Sequence, residues 1–346
     1  MGGMMRALVK HQSGFGAELK EVSIPSAGPG EVLVKVKAAS ICGTDVHIYS
    51  WDDWAAGRIK PPLVFGHEFC GEVVETGEGV TGFEKGDSVS AETHIVCGRC
   101  PQCRRGEAHV CTFTKIIGVD TRGCFSEYAV MPAGNLWKND PTLPPEVATA
   151  MEPMGNAVHT VLSGPVAGRT VAVIGCGPIG IMAVAVAKAS GASAVIAFDI
   201  NEYRLDLAKK MGATHLVNSG EEDPVAVAKK LTGGWGVDVV LEMSGNPVAI
   251  RQGFSMVTMG GRISMLGLPL RAVELDIAND LVFKGVQVHG IVGRRMYETW
   301  QQTAGFLTSG QVDLKPMITH RFSLEEYQTA FEQMMSGKSG KVVLYP

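Results

Sequence analysis

The first 150 or so residues carry a hydrophobic pattern with a period of two. Short runs alternate apolar with polar positions between glycines and prolines, and these runs are RALVK, EVLVKVKA, FCGEVVETG, GDSVSAE and SEYAVMP. Successive side chains of a strand point to opposite faces of a sheet, so the alternation predicts half-buried strands. We therefore expect a partly closed β domain in this part of the chain.

From Val171 onward, wholly apolar strands alternate with helical stretches. TVAVIG precedes the helical GIMAVAVAKAS, and AVIAFD, a helix over 202–211, a strand near His215, a helix over 224–231 and VDVVLEMSG continue the alternation. GRISMLG and VQVHGIVG add two strands. Strands that are apolar on both faces and alternate with helices predict a parallel sheet covered by helices on both sides.

The end of the chain predicts two helices and one strand. An amphipathic helix spans 297–308, the sequence SLEE at 323–326 predicts a capping box that opens a second helix, and KVVLYP predicts a strand. This tail is too short to bury its own core, so we expect it to return to the β domain. The expected domains are 1–153 with 295–346, and 154–294, with a cleft between them.

Length and composition are those of an ordinary two-domain globular protein. The chain has 346 residues, of which 45% are hydrophobic and 19% charged, which excludes a disordered chain. Glycine, at 43 residues, is frequent enough to predict many tight turns or phosphate-contacting loops. The net charge of −4, without a long run of Lys or Arg, argues against nucleic acid or an anionic membrane as a partner.

Targeting signals are not apparent. The N-terminal segment MGGMMRALVKHQ contains no apolar run of a secretory signal, and no stretch of eighteen apolar residues is unbroken. We therefore expect a cytoplasmic protein.

Four cysteines lie within fifteen residues, with the spacing Cys97-x2-Cys100-x2-Cys103-x7-Cys111. Four thiolates on loops rich in glycine and proline can surround a tetrahedral ion, and a complete sulfur shell leaves no position open. The alternative of buried or disulfide-paired cysteines is disfavoured in a reducing compartment. The spacing predicts a closed structural zinc site.

A second motif between an apolar strand and a helix is Gly175-Cys176-Gly177-Pro178-Ile179-Gly180. Its glycines permit a tight turn, close approach of the backbone to a pyrophosphate and close helix packing. Asp199 ends the next strand, where a carboxylate can accept hydrogen bonds from an adenosine ribose. We predict a dinucleotide site; a glycine turn without a ligand is the alternative. Arg204 either covers the adenine or is a solvated helix residue.

A third set of residues is dispersed along the chain. Cys42 opens the segment CGTDVH, His67 and Glu68 follow a glycine, and Glu152 lies where the chain enters the second domain. One thiolate, one imidazole and carboxylates form a zinc shell of the catalytic type, which can leave a position for substrate. A lone Cys or His in a β domain is more often structural, so spacing alone does not decide between the two.

With these motifs in this order, the chain resembles the zinc-dependent medium-chain alcohol dehydrogenases over essentially its whole length. The segments similar to family members that act on L-threonine are SICGTDVHIYSWDDWAAGRIKPPLVFGHE, ETHIVCGRCPQC, EPMGNAVHT and GRRMYETW. The family implies an α/β fold with a GroES-like β-rich catalytic domain and a Rossmann NAD-binding domain with a doubly wound parallel sheet. It also implies a homotetramer.

The resemblance implies roles for single residues. Cys42, His67 and Glu152 would hold a catalytic zinc, and Glu68 would be a fourth ligand that yields to water or substrate. Thr44 would pass the substrate proton through the nicotinamide ribose to His47, whose near-neutral pKa suits release to solvent.

Other side chains have less definite expected roles. His94 and Arg294 are candidates for orienting substrate or cofactor. Trp51 and Trp54 are expected to fill core rather than line the pocket.

The implied reaction is NAD-dependent oxidation of a secondary alcohol, the 3-hydroxyl of L-threonine, to 2-amino-3-oxobutanoate. Zinc would act as a Lewis acid that lowers the pKa of the hydroxyl, after which hydride leaves carbon 3. Two alternatives stay open. One is a polyol or 2,3-butanediol dehydrogenase of the same fold, and the other is a non-catalytic dinucleotide-binding regulator that keeps only the structural zinc.

Overall fold

The computed structural model describes residues 3–346. Met1 and Gly2, the first two residues of the N-terminal segment MGGMMRALVKHQ, lie outside the described residues. The chain divides into two compact units, the first comprising Met1–Pro153, Arg295–Ala304 and Ile318–Pro346, and the second comprising Met154–Arg294 and Gly305–Met317.

The segment Gly305–Met317 differs from the sequence-based division, which placed it in the first domain. In the structure it belongs to the second unit. Its last turn, Lys315–Met317, packs against the helix Glu202–Lys210, and Met317 is fully buried. A short segment therefore joins the second unit although the chain on both sides of it belongs to the first.

The strands, numbered in chain order, are β1 (Met4–Lys10), β2 (Glu18–Ser23), β3 (Glu31–Ser40), β4 (Leu63–Val64), β5 (Glu68–Thr76), β6 (Ser88–Ala91), β7 (His94–Ile95), β8 (Lys115–Ile116), β9 (Tyr128–Pro132), β10 (Leu136–Lys138), β11 (Thr170–Ile174), β12 (Ala194–Asp199), β13 (His215–Asn218), β14 (Val237–Glu242), β15 (Val257–Met265), β16 (Gln287–Gly290), β17 (Ile318–Ser323) and β18 (Lys341–Tyr345).

The α-helices are α1 (Gly43–Ser50), α2 (Asp53–Arg58), α3 (Pro101–Arg104), α4 (Pro145–Ala148), α5 (Met151–Leu162), α6 (Pro178–Ala189), α7 (Glu202–Lys210), α8 (Pro224–Leu231), α9 (Pro247–Met256), α10 (Glu298–Thr308) and α11 (Tyr327–Met335). Ser323 and Glu326 form the predicted capping box, one short turn ahead of α11. Asp223 caps α8 through its side chain, as a carboxylate at that position should.

The first unit is built on a seven-stranded sheet with the order β10-β6-β5-β3-β18-β17, in which β9 also pairs with β3. A three-stranded sheet has the order β2-β1-β4 and a two-stranded one joins β7 to β8. In β3 the buried Val34, Val36 and Ala38 alternate with the exposed Lys35 and Lys37, in keeping with the period of two. The pairing of β18 with β3 brings the C-terminal strand beside the residues that precede Cys42.

The second unit contains a six-stranded parallel sheet with the order β13-β12-β11-β14-β15-β16. Its middle strands are buried at nearly every position, which confirms the prediction from their wholly apolar sequences. The strand order reverses direction at β11, so the carboxyl ends of β11 and β14 flank a crevice of the kind that binds ligands in open α/β sheets. The mixed α/β fold class is confirmed.

Within residues 3–346, none of the helices combines the length and the apolar character that crossing a membrane requires.

Candidate metal centres and nucleotide site

The four cysteines of the loop 97–111 come together, with their sulfur atoms all within 4.8 Å of one another. Cys100 Sγ lies 3.5 Å from Cys103 Sγ and 3.8 Å from Cys111 Sγ, and Cys111 Sγ lies 3.6 Å from Cys97 Sγ. A tetrahedral zinc with Zn–S bonds of about 2.3 Å has sulfur–sulfur edges of about 3.8 Å. A disulfide would need about 2.05 Å, so the spacing fits an ion and excludes paired cysteines.

The charge distribution within this four-cysteine cluster also favours a cation. The backbone N–H of Cys103 lowers the pKa of the Cys100 thiol to about 6, against the opposing effect of burial. Burial and the neighbouring Cys100 sulfur raise the pKa of Cys103 to about 12. One thiolate therefore disfavours the next, and a positive ion would be needed for all four cysteines to be thiolates.

A second cluster, named here the mixed-ligand cluster, consists of Cys42, His67 and Glu68, whose ligand atoms lie within 4.8 Å of one another. Cys42 is the residue that caps α1, and Glu68 is the first residue of β5. In the antiparallel pairing of β3 with β5, Ser40 lies opposite Glu68. Cys42 follows Ser40, the last residue of β3, by two positions, and this places it close to Glu68.

Asp45, which the sequence analysis did not identify as a site residue, fixes two members of the mixed-ligand cluster. Its Oδ2 accepts a hydrogen bond of 2.8 Å from the Cys42 backbone N–H, and its Oδ1 lies 3.4 Å from His67 Nδ1. Burial by itself lowers the pKa of His67, but the charges of Asp45 and Cys42 outweigh burial and hold that pKa well above its usual range. The Cys-x-x-Asp spacing of a capping box was the signal that could have identified Asp45.

Glu68 has a buried cationic partner from the far end of the chain. Lys341 donates from Nζ to Glu68 Oε2, and also to the carbonyl of Ile41 at 3.1 Å. The Ser40 hydroxyl donates to the same Oε2. Burial disfavours the charged ammonium, but the Glu68 carboxylate outweighs burial and raises the pKa of Lys341. No local pattern in the sequence could have paired residues 273 positions apart.

Glu152 is not among the residues whose ligand atoms form the mixed-ligand cluster. It is buried in the first turn of α5, and its Oε1 accepts a hydrogen bond of 2.9 Å from the Thr93 hydroxyl. The structure groups Cys42, His67 and Glu68, and the ligand role that the resemblance implies for Glu152 stays a prediction.

Thr44 and His47 lie on α1, the helix that Cys42 caps. Thr44 Oγ1 is 3.9 Å from Cys42 Sγ. His47 is more than half exposed, and its Nδ1 lies 2.5 Å from Oδ2 of Asp52, the residue that caps α2. Burial acts to raise the pKa of Asp52, but the Ala55 backbone N–H and the His47 ring outweigh it and lower that pKa.

Of the side chains with less definite roles, His94 is held through its backbone N–H, which donates to Glu92 Oε1 at 2.9 Å. Trp51 packs against the core of the first unit, as expected. Trp54 is 42% exposed, with its ring 6.0 Å from that of His47, so the prediction that it fills core is wrong.

Arg294 is buried in the second unit. A Cβ built on Gly155 would lie 2.8 Å from its Cγ, so the aliphatic part of the arginine covers that glycine of α5.

The glycine turn at 175–180 joins β11 to α6. Gly175 has φ +91°, and a Cβ there would lie 2.8 Å from Ser244 Cβ; a Cβ on Gly180 would lie 2.0 Å from the Gly175 carbonyl oxygen. A Cβ on Gly177 would meet nothing within 4 Å. The fold itself thus requires the first and third glycines, whereas the second keeps open a space in front of α6, where a pyrophosphate can approach the backbone. Pro178 and Ile179 form the first turn of that helix.

Asp199 is anchored beside this turn at the end of β12. Its Oδ2 accepts from the Cys176 backbone N–H at 2.6 Å and its Oδ1 from the Asn201 backbone N–H at 2.9 Å. Arg204 lies in the first turn of α7, where its Nε is buried without a hydrogen-bond partner in the described part of the chain. The carboxylate and the glycine turn form one site, which suits a ribose and a pyrophosphate.

Two protein-family descriptions match this chain. Residues 28–144 match the alcohol dehydrogenase GroES-like domain, and residues 178–309 match the zinc-binding dehydrogenase domain. The L-threonine 3-dehydrogenase of Bacillus licheniformis is 59% identical over 346 residues, covering 100% of both chains.

Solved structures are also similar over the full length. A zinc-binding dehydrogenase from Sinorhizobium meliloti bound to NADP has a TM-score of 0.92 and 32% identity, covering 99% of this chain and 100% of that one. The 2R,3R-butanediol dehydrogenase of Bacillus subtilis has a TM-score of 0.89 and 29% identity, covering 99% of both chains.

Proposed function

This chain belongs to the zinc-dependent alcohol dehydrogenase family, and on that premise we propose that it oxidises the 3-hydroxyl of L-threonine with NAD, yielding 2-amino-3-oxobutanoate. The observation that carries the choice of substrate is the 59% identity, over the whole length of both chains, to the L-threonine 3-dehydrogenase of Bacillus licheniformis. The first unit would be the catalytic domain and the second the NAD-binding domain.

The donor sets fit two zinc ions of different kinds. The four-cysteine cluster offers a complete sulfur shell and would hold a structural ion. Cys42, His67 and Glu68 offer mixed donors, and the buried Glu68 Oε1 has no hydrogen-bond partner among residues 3–346, so these three, together with Glu152 as the resemblance implies, would hold the catalytic ion. Zinc in that position supplies Lewis acidity, which lowers the pKa of a bound hydroxyl group.

The residues of α1 and of the loop after it would manage the proton that the substrate hydroxyl loses. Thr44 is the hydroxyl nearest Cys42 on this helix, and His47 follows it by three residues. Asp52 holds the His47 ring by one nitrogen while most of the ring stays in solvent. A proton that arrives at His47 can therefore pass to water, as the sequence analysis predicts for these two residues.

For Glu152 we propose the metal-ligand role that the resemblance implies. Its Oε1 accepts a hydrogen bond from the Thr93 hydroxyl, which would hold the carboxylate in place. Near the metal, Glu152 and Glu68 would also offer negative charge to the substrate. A buried carboxylate suits the ammonium group of an amino acid, which a diol lacks. Arg294 would contribute to the carboxylate end of the substrate, and His94 would orient the substrate.

NAD is the proposed cofactor because of Asp199. Two backbone N–H groups hold its carboxylate beside the glycine turn, where it would accept hydrogen bonds from ribose hydroxyls and repel a 2′-phosphate. Arg204 would lie along the adenine. Asp199→Gly should narrow the preference for NAD over NADP, and equal kcat/KM for the two cofactors in the unaltered protein would contradict the assignment.

A substrate panel followed by NADH absorbance tests the proposed reaction, with L-threonine, D-threonine, L-serine, 2,3-butanediol and sorbitol under the same conditions. L-Threonine should have the highest kcat/KM, because a site with buried partners for two charges rejects an analogue that leaves them unpaired. L-Serine should lose only about 1–3 kcal/mol of transition-state stabilisation, the contribution of one apolar group. A clear preference for the diol would instead support a butanediol dehydrogenase, the activity named for the similar Bacillus subtilis structure.

Zinc content tests the remaining alternative, because a regulator that kept only the structural ion would bind one zinc per chain and oxidise none of the substrates. We also propose a cytoplasmic homotetramer, for which sedimentation of the purified protein is the measurement.

A further inference from the structure

The two oxygens of the Glu68 carboxylate are held in different ways. Oε2 accepts hydrogen bonds from the Ser40 hydroxyl and the Lys341 ammonium, whereas Oε1 is buried without a hydrogen-bond partner in the described range 3–346. The side chains of Lys341 and Glu68 are only 2% and 1% exposed. An unpaired buried oxygen is costly unless a further group meets it. One oxygen thus fixes the side chain, and the other remains for a ligand.

Backbone pairing places Lys341 beside the mixed-ligand cluster. Ser40 lies opposite Val343 in the pairing of β3 with β18, and the Ile41 backbone N–H donates to the Val342 carbonyl at 2.9 Å. The Ile41 carbonyl in turn accepts from Lys341 Nζ at 3.1 Å. The ammonium is therefore held next to the residue that precedes Cys42, on a side chain that is almost fully buried.

The buried pair of Lys341 and Glu68 is not explained by a contribution to the stability of the fold. Removing a lysine and a glutamate from water costs about as much free energy as their attraction returns, so a buried pair is weak support for a fold. Its effect on Glu68 is direct, however, because a cation at one carboxylate oxygen withdraws charge from the other.

The neighbouring ligand His67 has the opposite kind of partner. Asp45 Oδ1 lies 3.4 Å from His67 Nδ1. A carboxylate behind a histidine raises its basicity and strengthens it as a metal ligand. An ammonium behind a carboxylate has the reverse effect. The mixed-ligand cluster therefore combines one strengthened ligand with one weakened ligand.

We propose that Lys341 is a positioning residue that keeps Glu68 a weak, displaceable metal ligand. The inference rests on the zinc site of the proposed function. With Oε2 occupied by Lys341 and Ser40, Glu68 offers a single oxygen of reduced donor strength, which can yield its place to the substrate hydroxyl. Cys42, His67 and Glu152 would be the residues that keep holding the metal when Glu68 gives way.

The test compares Lys341→Met with Lys341→Arg in protein whose mixed-ligand cluster is loaded with cobalt, because the visible spectrum of cobalt reports its ligands. Lys341→Met should shift that spectrum and slow the loss of cobalt to a chelator by about tenfold, the scale of changes around metal ligands. Its KM for L-threonine should rise by about tenfold while kcat changes less, since substrate has to displace a stronger ligand. Lys341→Arg should restore both properties.

Ser40→Ala provides a second variant, in case Lys341→Met does not fold. It removes a donor to the same Oε2 without changing any charge, and it should produce the same changes at smaller size. An unchanged cobalt spectrum and release rate in these variants, or faster release of cobalt, would overturn the inference while the proposed reaction stands. Failure of the unaltered protein to bind cobalt in this cluster would overturn both.

Discussion

The two metal-ligand clusters of the first unit are built from the chain in opposite ways. The four-cysteine cluster takes its ligands from fifteen consecutive residues, Cys97 to Cys111, and every ligand atom is sulfur. The mixed-ligand cluster takes Cys42 from a helix cap and His67 with Glu68 from the start of a strand. Its supporting cation comes from the last strand of the fold.

The four-cysteine cluster has a complete set of four ligands, whereas the mixed-ligand cluster would leave room for substrate, and the two differ in how their ligands are supported. Neighbouring sulfurs and backbone N–H groups surround the four cysteines, so the cluster needs nothing beyond its own loop and an ion. In the mixed-ligand cluster two of the three ligands have a charged partner of their own: Asp45 for His67 and Lys341 for Glu68. Partners of opposite charge permit ligands of unequal strength, which suits a site where substrate has to enter.

The largest effect that this comparison predicts is the loss of activity on removing a ligand of the mixed-ligand cluster. His67→Asn should lose one zinc per chain and nearly all activity, because neither Cys42 nor Glu68 can replace the imidazole. The other zinc and the melting temperature should change little. Metal analysis with kcat/KM provides the measurement. Retention of two zinc ions with high activity would show that the metal centre has been misplaced.

Removing one sulfur of the four-cysteine cluster should affect stability instead. Cys100→Ser should lose the other zinc and lower the free energy of unfolding by roughly 3 kcal/mol or more, since binding of a structural ion is part of folding. Zinc per chain and urea denaturation are the measurements, with Cys70→Ser, a buried cysteine outside both clusters, as the matched control. Normal zinc content and stability in Cys100→Ser would contradict the structural role.

His47 tests whether α1 carries a function other than metal binding. It lies five residues after Cys42 and pairs with Asp52, outside the mixed-ligand cluster. His47→Asn should keep both zinc ions, lower kcat by about tenfold to a hundredfold and change its pH profile, because a proton exit is lost. Asp52→Asn should have a smaller effect in the same direction. Loss of zinc from the His47 variant would refute the assignment.

Local patterns in the sequence were sufficient for one cluster and not for the other. The spacing of Cys97, Cys100, Cys103 and Cys111 keeps the ligands within a single loop, so it predicts their assembly directly. The glycine turn could also be predicted from the sequence, because the strand before it and the helix after it adjoin it in the chain.

The partners in the mixed-ligand cluster depend on tertiary pairing. Which carboxylate meets His67 and Cys42 follows from the register of β3 on β5, and the position of Lys341 follows from β18 on β3. The sequence pattern within a single strand does not determine the register of its pairing with another strand. The ligand role that the resemblance implies for Glu152 stays a prediction, because the structure groups only Glu68 with Cys42 and His67.

The smallest predicted effect concerns an ion pair outside both clusters, between Arg58 and Asp120. Arg58 in α2 donates to both oxygens of Asp120, at 2.8 and 2.6 Å, in the turn that follows the four-cysteine loop. The side chains are 42% and 22% exposed, and such pairs contribute about 1 kcal/mol or less. Arg58→Met should therefore lower the free energy of unfolding only slightly at neutral pH, with Arg99→Met as an arginine control that forms no ion pair in the described chain.

The pH dependence of that small effect distinguishes an ion pair from lost packing. Burial acts to raise the pKa of Asp120, but the Arg58 guanidinium and the Ile116 backbone N–H outweigh it and lower that pKa. A carboxyl group with a lowered pKa stabilises the fold above its ordinary value of about 3.9 and loses that contribution as pH falls through its value in the fold. The difference between Arg58→Met and the unaltered chain in urea denaturation should thus be constant from pH 7 to pH 5 and vanish in stronger acid. A difference that persists there would mean that the arginine acts through its aliphatic packing and not through its charge.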